Sequence, residues 1–110
     1  MKRYCQTLKL RDDRELINQY IEEHQHVWPE IKAGIKEVGI IHMDIYIHEN
    51  TLFMIVDTVD DFEWDRDMAR LSTLPRQQEW ETYMAKFQDA SPESTSAERW
   101  VMMKQIFALD

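Results

Sequence analysis

The hydrophobic rhythm of the first half of the chain changes once, and that change restricts the fold more than any other feature. From Leu16 onward, apolar or ring-bearing side chains recur at steps of three and four, at Ile17, Tyr20, Ile21, His24, Val27, Trp28, Ile31, Ile35 and Val38. Glu22, Glu23, Lys32 and Lys36 fall on the opposite side, so the segment is an amphipathic helix stripe. Pro29 lies inside it, and its ring clashes with the carbonyl four residues back, which predicts two helical pieces or a kink near His26–Trp28. Gly39 takes the usual place after a helix C-terminus. Directly beyond it the period becomes two. In Ile40–Glu49, Ile41, Met43, Ile45 and Ile47 are expected on one face, with His42, Asp44, Tyr46 and His48 on the other.

The remaining elements follow from similar signals. Lys2–Leu10 alternates Leu8 and Leu10 with Thr7 and Lys9 and reads as a strand. Asp12 and Asp13 then supply a helix N-cap. Asn50 marks a hairpin turn before Leu52–Val56, a near-continuous apolar run suited to a central strand. Asp60 and Asp61 are expected to cap a helix over Phe62–Leu71, and Pro75 to open another that carries Trp80, Tyr83, Met84 and Phe87. A Ser- and Pro-rich connector spans residues 88–96, and Arg99–Phe107 reads as a last strand. The order β-α-β-β-α-β is the ferredoxin-like, α+β pattern, a four-stranded antiparallel sheet with helices on one face. Residues 1–110 are expected to form one domain. Its uncovered sheet face, which includes Tyr46, predicts a face-to-face homodimer, a dimeric α/β barrel.

Composition narrows the function classes. With 44% apolar residues and only 2 Gly and 3 Pro, the chain is neither disordered nor loop-dominated. The single Cys5 precludes an internal disulfide and a Cys-based zinc cluster and suits a reducing, cytoplasmic setting. A formal charge of −8 repels phosphate backbones and anionic lipid, which argues against nucleic-acid and membrane-surface partners. Residues 1–10 hold no apolar core of a signal peptide, and no apolar run approaches the ~20 residues that cross a bilayer.

Few residues can carry chemistry. His24 lies one helical turn after Tyr20 on the same face, and an imidazole beside a phenol above a core is a plausible acid/base pair near neutral pH. Spacing alone favours the plainer reading, a core histidine satisfied by backbone carbonyls. Metal binding is not expected. His24 and His26 point to opposite sides of a helix, and His42 and His48 are roughly 20 Å apart at ~3.3 Å per residue, which leaves His42 and Asp44 as an insufficient pair. Cys5 sits in a strand, away from any helix terminus that would activate it, and two glycines cannot build a phosphate loop. Trp28, Trp64 and Trp80 fall in expected helices, where flat rings can hold the apolar face of a sugar, although such spacing more often marks core.

Tyr20-Ile-Glu-Glu-His24 followed by Val27-Trp-Pro-Glu30 resembles the Y-x-x-x-H…[IV]-W-P-E signature of the L-rhamnose mutarotase family. Ile45-Tyr46, Leu52-Phe-Met-Ile55 and Trp80-Glu-Thr-Tyr-Met84 are similar to further family segments, so the resemblance covers nearly the whole chain. It implies a cofactor-free, dimeric aldose 1-epimerase of ferredoxin-like fold that interconverts the α and β anomers of a 6-deoxyhexose, L-rhamnose first. By the same resemblance His24 is the proton donor, and Tyr20 and Trp80 contact the sugar. Two positions depart from the pattern. Met43 replaces a substrate-contacting tyrosine, and Glu81 replaces a second aromatic residue after the tryptophan. Both substitutions are expected in the sugar pocket, where Met43 walls the C6 methyl and Glu81 accepts hydrogen bonds. They bear on which sugar is bound, so L-fucose is the alternative substrate. A non-catalytic sugar-binding dimer of the same fold is the alternative of another class.

Overall fold

The computed structural model describes residues 1–89 and 99–109. Among the described residues, eight elements follow one another: β1 (Lys2–Lys9), α1 (Arg14–His24), α2 (Pro29–Glu37), β2 (Ile40–His48), β3 (Thr51–Thr58), α3 (Trp64–Leu71), α4 (Gln77–Ala85) and β4 (Val101–Met103). The strands form one sheet in the order β2-β3-β1-β4, and every pair is antiparallel. This is the expected ferredoxin-like α+β architecture. Among the described residues, no helix is long and apolar enough to cross a membrane.

Local chemistry accounts for most boundaries. Asp13 caps α1, its carboxylate accepting from the Glu15 and Leu16 amides at 3.0 and 3.1 Å. Pro29 splits the stripe as expected, because it occupies the first turn of a new helix, where no N–H is needed. The Trp28 ring therefore sits at the α2 cap, in the joint between helices. Gly39 has φ of 103°, and a Cβ there would lie 2.9 Å from a Val59 methyl, so the turn into β2 requires glycine.

Four expectations need correction. Ile41 leaves the alternation: β2 carries a bulge between Ile40 and His42, which makes Ile41 the extra residue and leaves it 57% exposed. Asp60 and Asp61 do not cap α3. That helix starts at Trp64 after Glu63, and Asp67 reaches back so that its carboxylate accepts from the Glu63 amide at 2.8 Å. Asp60 instead pairs with the amino group of Met1. Pro75 precedes α4 without opening it; Arg76 is the cap, in a left-handed conformation with φ of 64°. The last strand spans only Val101–Met103, since only these residues pair with β1. Most of the connector at 88–96 lies outside the described residues.

The helices cover the sheet face that carries Leu8, Leu52, Met54 and Val56, all buried. Two core clusters lie between these layers. One is built on Leu10, Tyr20, Ile31, Trp80 and Phe87, the other on Val38, Ile40, Val56, Phe62 and Leu71. The opposite sheet face holds His42, Asp44, Tyr46 and His48 in register with Asp57, Ile55, Phe53 and Thr51. Among the described residues no helix packs over it, and Tyr46 is 58% exposed there.

Candidate active site

A cavity of ≈ 150 Å³ opens where the two core clusters meet. That is about tenfold the ~10–15 Å³ that admits one water, room for a single-ring molecule of about ten heavy atoms. The five residues that the family resemblance pointed to line it, Tyr20 and His24 from α1, Met43 from β2, and Trp80 and Glu81 from α4, as does Trp64 but not Trp28. The helical and strand spacings explain the convergence. Tyr20 and His24 share one face of α1, Met43 lies on the helix-facing side of β2, and Trp80 and Glu81 turn inward from α4.

The aromatic geometry is close. The Tyr20 and His24 rings are 4.2 Å apart, and the His24 ring meets Trp80 edge-on at 5.6 Å. Trp80 is further braced by Trp28 at 5.0 Å, and the Arg76 guanidinium lies 4.1 Å over the Trp28 ring. The His24 Nδ1 lies 2.9 Å from the Tyr20 carbonyl oxygen. A carbonyl can only accept, so Nδ1 carries the hydrogen, and the neutral ring leaves Nε2 as the nitrogen with a free lone pair. The plainer reading of His24 is met at one nitrogen, which is satisfied by backbone, while the other keeps its lone pair.

Burial sets the proton affinities. It lowers the His24 pKa below its ordinary value, opposed by the bond to the Tyr20 carbonyl and the Glu23 charge. Burial raises the Tyr20 pKa far above that of a free phenol, opposed by a hydrogen bond from Gln88 and the charge of Arg99. At neutral pH the pair is thus a neutral imidazole beside a neutral phenol.

The polar wall is richer than the sequence reading anticipated. Gln6, Gln77, Gln88 and Arg99 also line the cavity, all at least nine-tenths buried. Gln77 donates to the Glu81 carboxylate at 3.3 Å, and Arg99 donates to the Glu81 carbonyl at 3.4 Å. Helical spacing from Trp80 could have found two of these, since Gln77, Trp80, Glu81, Met84 and Gln88 follow one face of α4 and its exit. Gln6 alternates with Leu8 on β1 and was detectable by period two. Arg99, and Trp100 beside it in the lining, follow the connector and carry no such signal.

Comparison with known proteins bears on the family and the fold. The profile of the L-rhamnose mutarotase family matches residues 3–109. An L-fucose mutarotase of Xanthomonas campestris pv. campestris is 38% identical over 111 residues, 99% of this chain and 89% of its own length. An L-rhamnose mutarotase of Klebsiella pneumoniae is 32% identical over 95 residues, 83% of this chain and 84% of its own. In fold, the chain is similar to the crystal structure of an L-rhamnose mutarotase from Formosa agariphila, with a TM-score of 0.75 at 22% identity and full coverage of both chains. A profile that runs almost from end to end, with relatives above 30% identity along most of the chain, establishes that the protein belongs to the L-rhamnose mutarotase family.

Proposed function

We propose that the protein is an aldose 1-epimerase that interconverts the α and β anomers of a 6-deoxyhexose. The observation that carries this reading is His24, tied through Nδ1 to the Tyr20 carbonyl while its ring lines a cavity walled by Tyr20 and Trp80. The neutral Nε2 takes the proton of the anomeric hydroxyl as the C1–O5 bond breaks, and the imidazolium so formed returns a proton to O5. The open-chain aldehyde rotates about C1–C2, and the same exchange in reverse closes the ring on its other face. No net proton is consumed, so one histidine suffices. Tyr20, kept protonated by burial, orients a sugar oxygen; the Trp80 ring packs on the C–H face; Met43 walls the C6 methyl and Glu81 accepts from hydroxyls. The traffic of protons uses side chains alone.

L-rhamnose is the first substrate of this reading, from the family profile. A second, L-fucose, is favoured by the 38% identity to a relative named for that sugar, together with the departures at Met43 and Glu81. The functional unit is proposed to be a cytoplasmic homodimer joined through the open sheet face. Saturation-transfer NMR of anomer exchange, run on L-rhamnose and L-fucose side by side, tests the whole reading. Wild-type protein accelerates exchange of at least one sugar, and His24→Ala returns it to the uncatalysed rate while remaining folded. Sugar binding without acceleration by wild type would instead establish the non-catalytic alternative.

A further inference from the structure

Gln88 is held more firmly than its place after a helix suggests. Its amide nitrogen bonds the Ala85 carbonyl, and its neighbours zip onto the end of β1, with Arg11 N to Phe87 O and Asp89 N to Lys9 O both at 2.9 Å. Leu10 and Gln88 form an isolated antiparallel bridge. The side chain is 3% exposed and projects into the cavity lining. Its side-chain amide acts on the Tyr20 hydroxyl so as to lower the phenol's pKa, against the larger effect of burial. Its Oε1 is buried and has no hydrogen-bond partner among the described residues.

Such an oxygen is unusual, because buried acceptors are almost always paired and an orphan weakens the fold that holds it. It is also the complement a sugar needs. Each hydroxyl of a monosaccharide carries a donor hydrogen that needs an acceptor, while Arg99 can only donate and the Glu81 carboxylate already accepts from the Gln77 NH₂ group. An amide oxygen fixed by backbone pairing on both sides reads such a hydroxyl without reorganising.

We infer that Gln88 is a specificity-determining residue, its Oε1 accepting a hydrogen bond from one non-anomeric hydroxyl of the bound monosaccharide. This rests on the mutarotase reading above and adds to it a named atom that discriminates among sugars.

The test uses the full-length protein, whichever of L-rhamnose and L-fucose it turns over, and the 2-, 3- and 4-deoxy forms of that sugar. Wild type is expected to lose about 10- to 100-fold in kcat/KM on one deoxy form, the loss from leaving one buried polar group unpaired. Gln88→Met, close in length and volume, loses a similar factor on the parent sugar and no longer separates parent from that deoxy form. Gln88→Glu keeps an acceptor at the same reach and retains the separation. It is read alone if Gln88→Met does not fold, and loss of the separation in Gln88→Glu would then overturn the inference. Equal discrimination by wild type and Gln88→Met overturns it directly. If wild type accelerates no anomer exchange, the mutarotase reading fails separately. The same parent-against-deoxy comparison, read as quenching of tryptophan fluorescence on binding, then decides Gln88, and absence of any discrimination overturns it.

Discussion

His24 sits where burial favours its neutral form and a backbone carbonyl fixes its tautomer. The sign of the pH dependence follows. The form that accepts the anomeric proton is the neutral one, and burial places its pKa below the ordinary 6.5. Acceleration over the uncatalysed rate is therefore expected to be flat from about pH 7 to 8 and to fall only as pH drops through a value under 6.5. An acid limb centred above 6.5 would contradict this assignment. Stability follows the same direction: the unfolded chain takes up the His24 proton at higher pH than the folded one, so stability is lost on acidification below about 6.5. Urea midpoints at pH 7 and pH 5 measure it, and His24→Gln should narrow the difference between them. Tyr20→Phe is expected to lower kcat/KM about fivefold, the worth of one hydrogen bond, with no alkaline limb in wild type below pH 10 because burial keeps the phenol protonated. At this scale the histidine, tyrosine and tryptophan were legible in their spacing and family pattern. Gln6, Gln77 and Gln88 were signalled only by their phase with Leu8 and Trp80, a weak mark because glutamine ordinarily lies in solvent.

The elements were legible wherever a single period ran long enough to be counted. Tyr20 to Val38 and Met43 to His48 announce a helix pair and a strand, and Pro29 and Gly39 divide them where the backbone requires it. The misjudged boundaries have local causes that no period contains. One extra residue at Ile41 shifts β2 by half a repeat, and Asp67 caps its own helix from four residues inside it. Arg76 occupies a left-handed cap although it is not glycine, held by Glu79 at 2.8 Å, Glu30 at 3.5 Å and the Trp28 ring. Gly39→Ala tests the tightest of these joints. A Cβ at φ of 103° meets Val59 at 2.9 Å, so the substitution is expected to cost roughly 1–3 kcal/mol in urea denaturation. A change below a few tenths would mean that the turn relaxes freely.

At the scale of the molecule the sheet is asymmetric. One face is packed under helices α1–α4, while the other presents Tyr46 and Met103 at 58% and 46% exposure beside Phe53 and Ile55. Exposed apolar sheet of this kind is covered in stable proteins, and a second copy is the simplest cover. Sedimentation equilibrium is expected to give twice 13.3 kDa, and Phe53→Glu to shift it toward the single-chain mass. A wild-type mass of 13.3 kDa would remove the dimer from the proposal. The pairing of residues 87–89 with residues 9–11 has a consequence for motion. It closes a ring of chain that runs from the first strand to the end of the fourth helix, outside any regular ladder. The amides of Arg11 and Asp89, though they lie in connecting segments, should resist exchange with deuterium far longer than connecting segments normally do. The wall that carries Gln88 would then stay shut on the timescale of turnover, and sugar would enter and leave past some other edge of the cavity.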